Sequence, residues 1–132
     1  MLNKTETLTV EEYKKNKFGA KKCLYNGDMY ASKIEMNYAI YLDTLQIAKE
    51  IQKWERQFVI SIDINNCHIC NYVADFRIFN NDNTIKIVDV KGYVKGTAYQ
   101  LFKFKKKLIK ALYNIEIVII RKGIKGNWVE SI

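Results

Sequence analysis

Val88-Asp89-Val90-Lys91-Gly92 sets an acid and a lysine two positions apart inside an apolar run over residues 85–94. On a strand, positions two apart project to the same face. Asp89 and Lys91 therefore stand together, a carboxylate beside an ammonium, on an otherwise hydrophobic strand. Charges in such surroundings are costly unless they are paired or bind a ligand. Taken alone, the stretch reads as a surface strand carrying a salt bridge. The elements on either side decide whether it is more than that.

Downstream, Lys95-Gly96-Thr97 breaks the strand, and a helix is expected over 98–113. Leu101, Phe104, Leu108, Ala111 and Leu112 share one face of it. Lys103, Lys106, Lys107 and Lys110 share the other at helical spacing. Residues 115–120 are nearly all apolar and β-branched, as in a buried parallel strand. Strand, crossover helix and returning strand make a right-handed βαβ unit. The tail, with Lys122, Lys125 and Trp128, adds a short edge strand.

Upstream, strands are expected over 58–64 and 68–79, joined at Asn65-Asn66, a pair that tolerates positive φ. With the strand over 84–94 they form a meander. The first long helix is expected over 32–53. Ser32 caps it, Glu35 completes the S-x-x-E pattern, and Trp54-Glu55-Arg56-Gln57 ends it. Ile34, Tyr38, Tyr41, Leu42, Leu45, Ala48 and Ile51 form its buried stripe. Glu35 lies on the edge of that stripe. Asn26-Gly27-Asp28 marks a tight hairpin ahead of the helix. Residues 1–17 read as a mobile basic arm and residues 18–132 as a single domain. The fold class is α/β, an αβββαβ core with a mixed central sheet flanked by helices.

At 132 residues and 48% hydrophobic, with nine Tyr, six Phe and two Trp, the chain can build a true core. It has no apolar run of the roughly 18 residues that a membrane helix needs and no apolar signal-peptide core. The expected location is the cytoplasm, without a membrane partner. Twenty-two basic residues against fourteen acidic ones give a net charge of +8, which suits a polyanion such as nucleic acid. Three cysteines, Cys23, Cys67 and Cys70, do not pair into a disulfide framework. Cys67-His68-Ile69-Cys70 resembles half of a zinc site. A closed site needs four ligands, and no zinc is expected.

Three acids stand at related places in this topology: Glu35 on the helix edge, Asp75 in Val73-Ala74-Asp75-Phe76, and Asp89. Same-face residues on adjacent antiparallel strands come within about 5 Å, so Asp75 and Asp89 are neighbours if register allows. Two buried carboxylates repel, and one must hold a proton unless a cation joins them. Hard oxygen donors select Mg2+ or Mn2+. Asp75, Asp89, the Val90 carbonyl and Glu35 are the candidate ligands. Lys91 is placed to orient water or offset charge growing on phosphorus. Simpler roles stand beside these. Glu35 also fits a plain capping box, Asp75 a pair with Arg77, the α-helical lysines a solvated face, and Gln57 either site support or a helix-end polar residue.

The ordered set resembles the PD-(D/E)XK nuclease superfamily, whose pattern is a helix glutamate, a strand aspartate and (D/E)-x-K on the next strand. It is most similar to small phage and prophage endonucleases with the style K-[FY]-G-A-K-K, S-K-x-E, Y-x-A-D-F and x-D-V-K-G. Here those are Lys17-Phe18-Gly19-Ala20-Lys21-Lys22, Ser32-Lys33-Ile34-Glu35, Tyr72-Val73-Ala74-Asp75-Phe76 and Val88-Asp89-Val90-Lys91-Gly92. Ala74 stands where the namesake proline would be. The resemblance covers roughly residues 17–120. It implies a Mg2+-dependent DNA endonuclease with Glu35, Asp75, Asp89 and Lys91 as its catalytic centre. It also implies a structure-selective, Holliday-junction-resolvase-like activity and a phage or prophage origin. Lys21, Lys22, Lys33, Lys103, Lys106, Lys107 and Lys110 would bind DNA phosphates without reading sequence. Two symmetric cuts in a junction imply a homodimer. The alternatives are a sequence-tolerant nuclease or nickase, an RNA-directed nuclease, and a non-catalytic DNA-binding accessory protein.

Overall fold

A computed structural model describes residues 22–92 and 96–132. The basic arm over 1–17, Lys21 and the last expected strand residues, 93 and 94, lie outside the described residues. The chain falls into two compact units, Met1–Thr44 and Leu45–Ile132.

The first unit contains the hairpin β1 (Cys23–Tyr25) and β2 (Asp28–Tyr30) and all but the last three residues of α1, which runs Lys33–Ile47. Asn26 (φ 51) and Gly27 (φ 84) are both left-handed. A two-residue turn of that kind matches the twist of the strands it joins. Ser32 Oγ accepts the Glu35 N–H at 3.3 Å, the expected N-cap. The Tyr25 hydroxyl donates to Asp43 at 2.5 Å, and that bond pushes Tyr25 up to about 12. Tyr38, Ala39 and Leu42 are buried, whereas Tyr41 of the expected stripe is exposed.

The helix stops six residues short of its expected end. Lys49 is left-handed (φ 61). Its N–H reaches Gln46 O at 3.0 Å and the Glu50 N–H reaches Leu45 O at 2.9 Å. These two bonds are a Schellman motif, which satisfies the last carbonyls of the helix. The usual glycine signal is missing there, so the hydrophobic period carried the expectation past the true end. Ile51 then begins a strand instead of closing the helical stripe.

The second unit is a five-stranded sheet in the order β3 (Ile51–Ile64), β4 (Cys67–Asn80), β5 (Ile85–Val90), β6 (Ile117–Lys122) and β7 (Trp128–Ser131). β3, β4 and β5 are mutually antiparallel, β5 and β6 are parallel, and β7 returns antiparallel to β6. The meander, the parallel step and the edge strand are as expected. β5 ends at Val90, earlier than expected, and β6 begins two residues late. Asn65 (φ 51) and Asn66 (φ 65) turn the long β3–β4 hairpin.

The crossover helix α2 (Thr97–Tyr113) ends on left-handed Asn114, whose N–H bonds Lys110 O. Its buried side is not the expected one. Phe102 and Ile109 reach the core, while Leu101 and Phe104 are 51% and 59% exposed. The helix carries apolar residues on two stripes, and the sheet selects between them. Phe102 and Ile109 join Ile60, Ile62, Tyr72, Ala74, Ile87, Ile117 and Ile119 in one cluster.

Candidate active site

The β4–β5 ladder runs Phe79↔Ile85 to Phe76↔Val88 and then stops. The next rung would be Asp75 opposite Asp89. There the side chains replace the ladder: the Asp75 N–H donates to Asp89 Oδ1 at 3.0 Å. The Val90 N–H donates to Asp75 Oδ2 at 2.8 Å. On the other side, Arg56↔Phe76 and Phe58↔Ala74 bracket Gln57, which faces Asp75 but does not pair with it. Gln57 is left-handed (φ 56) and exposed. Both ladders therefore skip Asp75. Irregularity of this kind re-aims side chains and is common beside functional sites.

Each carboxylate thus reaches across to the backbone of the other strand at one rung, and each keeps one oxygen (Asp75 Oδ1, Asp89 Oδ2) outside these bonds. Asp89 is 3% exposed, the single charged residue in the described interior. Burial pushes its carboxyl up to about 6, against the pull of Lys91 and of the Asp75 N–H. Burial likewise raises Asp75, opposed by the Val90 N–H and by the positive charges of Lys91 and Arg56. Two desolvated acids at one rung favour a shared proton or a bound cation.

Lys91 follows directly on β5, its N–H bonded to Ile120 O at 2.8 Å. Since neighbouring residues of a strand turn their backbone polar groups to opposite edges, Val90 turns its N–H and carbonyl toward β4. The Val90 bond to Asp75 agrees with that. The Val90 carbonyl thus shares the edge on which the carboxylates meet. The Lys91 ammonium lies over the Phe102 ring, 4.0 Å from its centre. The described ion pairs fall elsewhere, among them Glu55–Arg77 and Lys86–Glu130. Lys91 acts on Asp75 and Asp89 through its field while the α2 ring holds its head group.

Among the described residues no three His, Cys, Asp or Glu side chains gather as a metal-ligand group. The donors present, two carboxylates and a carbonyl, still suit Mg2+, which keeps several waters and binds through one or two carboxylates. Glu35 sits half-buried in the first turn of α1, in the first unit. Lys22 and Lys33 are exposed in that unit. Asp75 does not pair with Arg77. That guanidinium binds Glu55 and packs on Phe58 and Phe79. Gln57 is not a helix-end residue but an interruption in the middle of β3.

Arg56 and Phe102 escaped the sequence reading. Arg56 fell in the supposed helix end, and Phe102 lay off the expected apolar stripe. At the hairpin tip, His68 Nδ1 lies 2.8 Å from Asp63 Oδ1 and 2.9 Å from Ser61 Oγ. Acid and hydroxyl both meet the same ring nitrogen, so the imidazole does not relay between them as a hydrolytic triad requires.

Residues 15–128 match a family described as Protein of unknown function (DUF1064). The chain belongs to this family. The matched span of the DUF1064 family takes in Glu35, Asp75, Asp89, Lys91 and the lysines of α2. No curated protein and no solved structure matches the chain. No helix of the described residues is long and apolar enough to cross a membrane.

Proposed function

We propose that the chain is a Mg2+-dependent, structure-selective DNA endonuclease of the PD-(D/E)XK kind, working as a homodimer on branched DNA in the cytoplasm of a phage-infected or lysogenic host. The Asp75–Asp89 rung carries the proposal: two carboxylates that reach across one rung, both raised by burial, with Lys91 two residues beyond Asp89. A purely structural role gives no reason to set a buried acid and a half-buried one at the same rung.

Asp75, Asp89 and the Val90 carbonyl would hold Mg2+ or Mn2+. The bound ion supplies Lewis-acid polarisation of a phosphate oxygen and a more acidic water. Lys91 sets positive charge where negative charge grows on phosphorus, and Phe102 keeps it from swinging into solvent. Lys103, Lys106, Lys107 and Lys110, with Lys21, Lys22 and Lys33, would hold flanking phosphates. A non-catalytic DNA-binding reading draws on one observation, the packing of the Lys91 head group on an aromatic ring.

The test uses purified full-length protein with Mg2+ and labelled duplex, single-stranded, branched and four-way DNA, beside Asp89→Ala. Cleavage of branched DNA that disappears in Asp89→Ala is expected. Cleavage that survives Asp89→Ala sinks this site, and binding without cutting under Mg2+ or Mn2+ supports the accessory protein.

A further inference from the structure

The lysines of α2 do more than present a charged face. Lys103, Lys106, Lys107 and Lys110, with Tyr99, Glu116, Ile119 and Ile132, line a cavity of about 260 Å³ against β6. That volume lies below the usual range of small-molecule pockets. It has room for one base and its sugar, not for a length of duplex.

The wall is built rather than incidental. The side chain of Lys106 is only 16% exposed, and Glu116 draws Lys106 (3.8 Å) and Lys110 (3.4 Å) to the rim. Among the side chains, four ammonium groups stand against one carboxylate, an excess of positive charge. Tyr99 is held from two sides: its ring stacks on Phe102 (centroids 5.9 Å, 29° between planes), and its hydroxyl accepts from Arg121 at 3.1 Å. Lys103 lies over the Tyr99 ring at 5.7 Å. Phe102, on which Tyr99 stacks, also carries the Lys91 ammonium. A single aromatic stack thus joins this cavity to the Asp75–Asp89 site.

We infer that this cavity receives one unpaired nucleotide of the DNA, its base taking the place of the Lys103 head group over the Tyr99 ring, beside Ile119, and its phosphate among the lysines. A fixed ring beside clustered cations is the chemistry by which unstacked bases are held. A paired base has no free face to offer Tyr99. The inference rests on the nuclease reading and names the feature of branched DNA that the chain would select.

The test is equilibrium binding without metal, so that no strand is cut. Full-length protein is titrated into labelled duplex, and into the same duplex carrying one unpaired 2-aminopurine. Expected are tighter binding to the second DNA and a change in 2-aminopurine fluorescence on binding. Tyr99→Leu should reduce the preference by roughly 5- to 150-fold, the range that one base–aromatic stack supports. Tyr99→Phe, which keeps the ring, should restore it. Because Tyr99 also packs on Phe102, Lys103→Gln and Lys107→Gln serve as surface variants and should weaken binding to the unpaired site more than to duplex. Equal affinity for the two DNAs overturns the inference, as does a preference that Tyr99→Leu leaves intact. Loss of cutting in Asp89→Ala with this preference unchanged would separate the cavity from the catalytic reading.

Discussion

Asp89 is where stability and chemistry oppose each other. Its carboxyl is raised from 3.8 to about 6, so the folded chain holds a proton that the unfolded chain releases. A raised acid contributes stability below about pH 4 and loses it as pH rises through about 6. Asp75 shifts in the same direction. Metal-free protein should therefore become less stable between about pH 4 and pH 7, by on the order of 3 kcal/mol from Asp89. Asp89→Asn keeps an oxygen for the Asp75 N–H and should flatten that fall. Urea midpoints in chelator across this range measure both. At neutral pH, millimolar Mg2+ should recover part of the loss in wild type and none in Asp89→Asn.

At the level of elements, the turn after α1 stores strain at a residue that need not bear it. Lys49 is left-handed without being glycine, while its carbonyl accepts from Asn81 at 2.9 Å. Lys49→Gly keeps that backbone bond and should raise stability by about 1 kcal/mol, read as a higher melting temperature. A lower one would show that the lysine side chain contributes more than its backbone costs. The same turn marks where the sequence was opaque. Its partners are backbone groups of Leu45 and Gln46, and nothing in the side chains announces them. Elements with side-chain signatures were legible: the Asn26-Gly27 and Asn65-Asn66 turns, the β-branched run of β6 and the Ser32 cap. The pairing of Asp75 with Asp89 was legible as well, since it needs only alternation and strand order. The face of α2 was not, because two apolar stripes compete on that helix and only the sheet beneath decides between them.

Across the whole molecule a charge excess of +8 suits a polyanion, and in the proposed DNA complex the number of phosphate contacts sets how binding should respond to salt. Each phosphate contact releases counterions, so every lysine lost from the contact should lower the slope of log K against log salt by about 0.9 on duplex. Lys107→Gln should show one such step, and Lys103→Gln with Lys107→Gln should show two. Binding measured over a range of salt gives the slopes directly. Unchanged slopes would place these lysines away from the phosphates.

The order of strands in the sheet also fixes an order of events. β3 and β4 are joined by a two-residue turn, whereas β5 and β6 are separated by the whole of α2. Short loops close at less entropic cost than long ones. During synthesis Asp75 therefore emerges on a hairpin that can already form, with its acid partner soon beside it. Ile119, which flanks Asp89 on β6, arrives only after the crossover is complete. The electrostatic cost of the site should thus fall late in folding, after the β3–β4 hairpin has formed, where it would speed unfolding more than it slows folding.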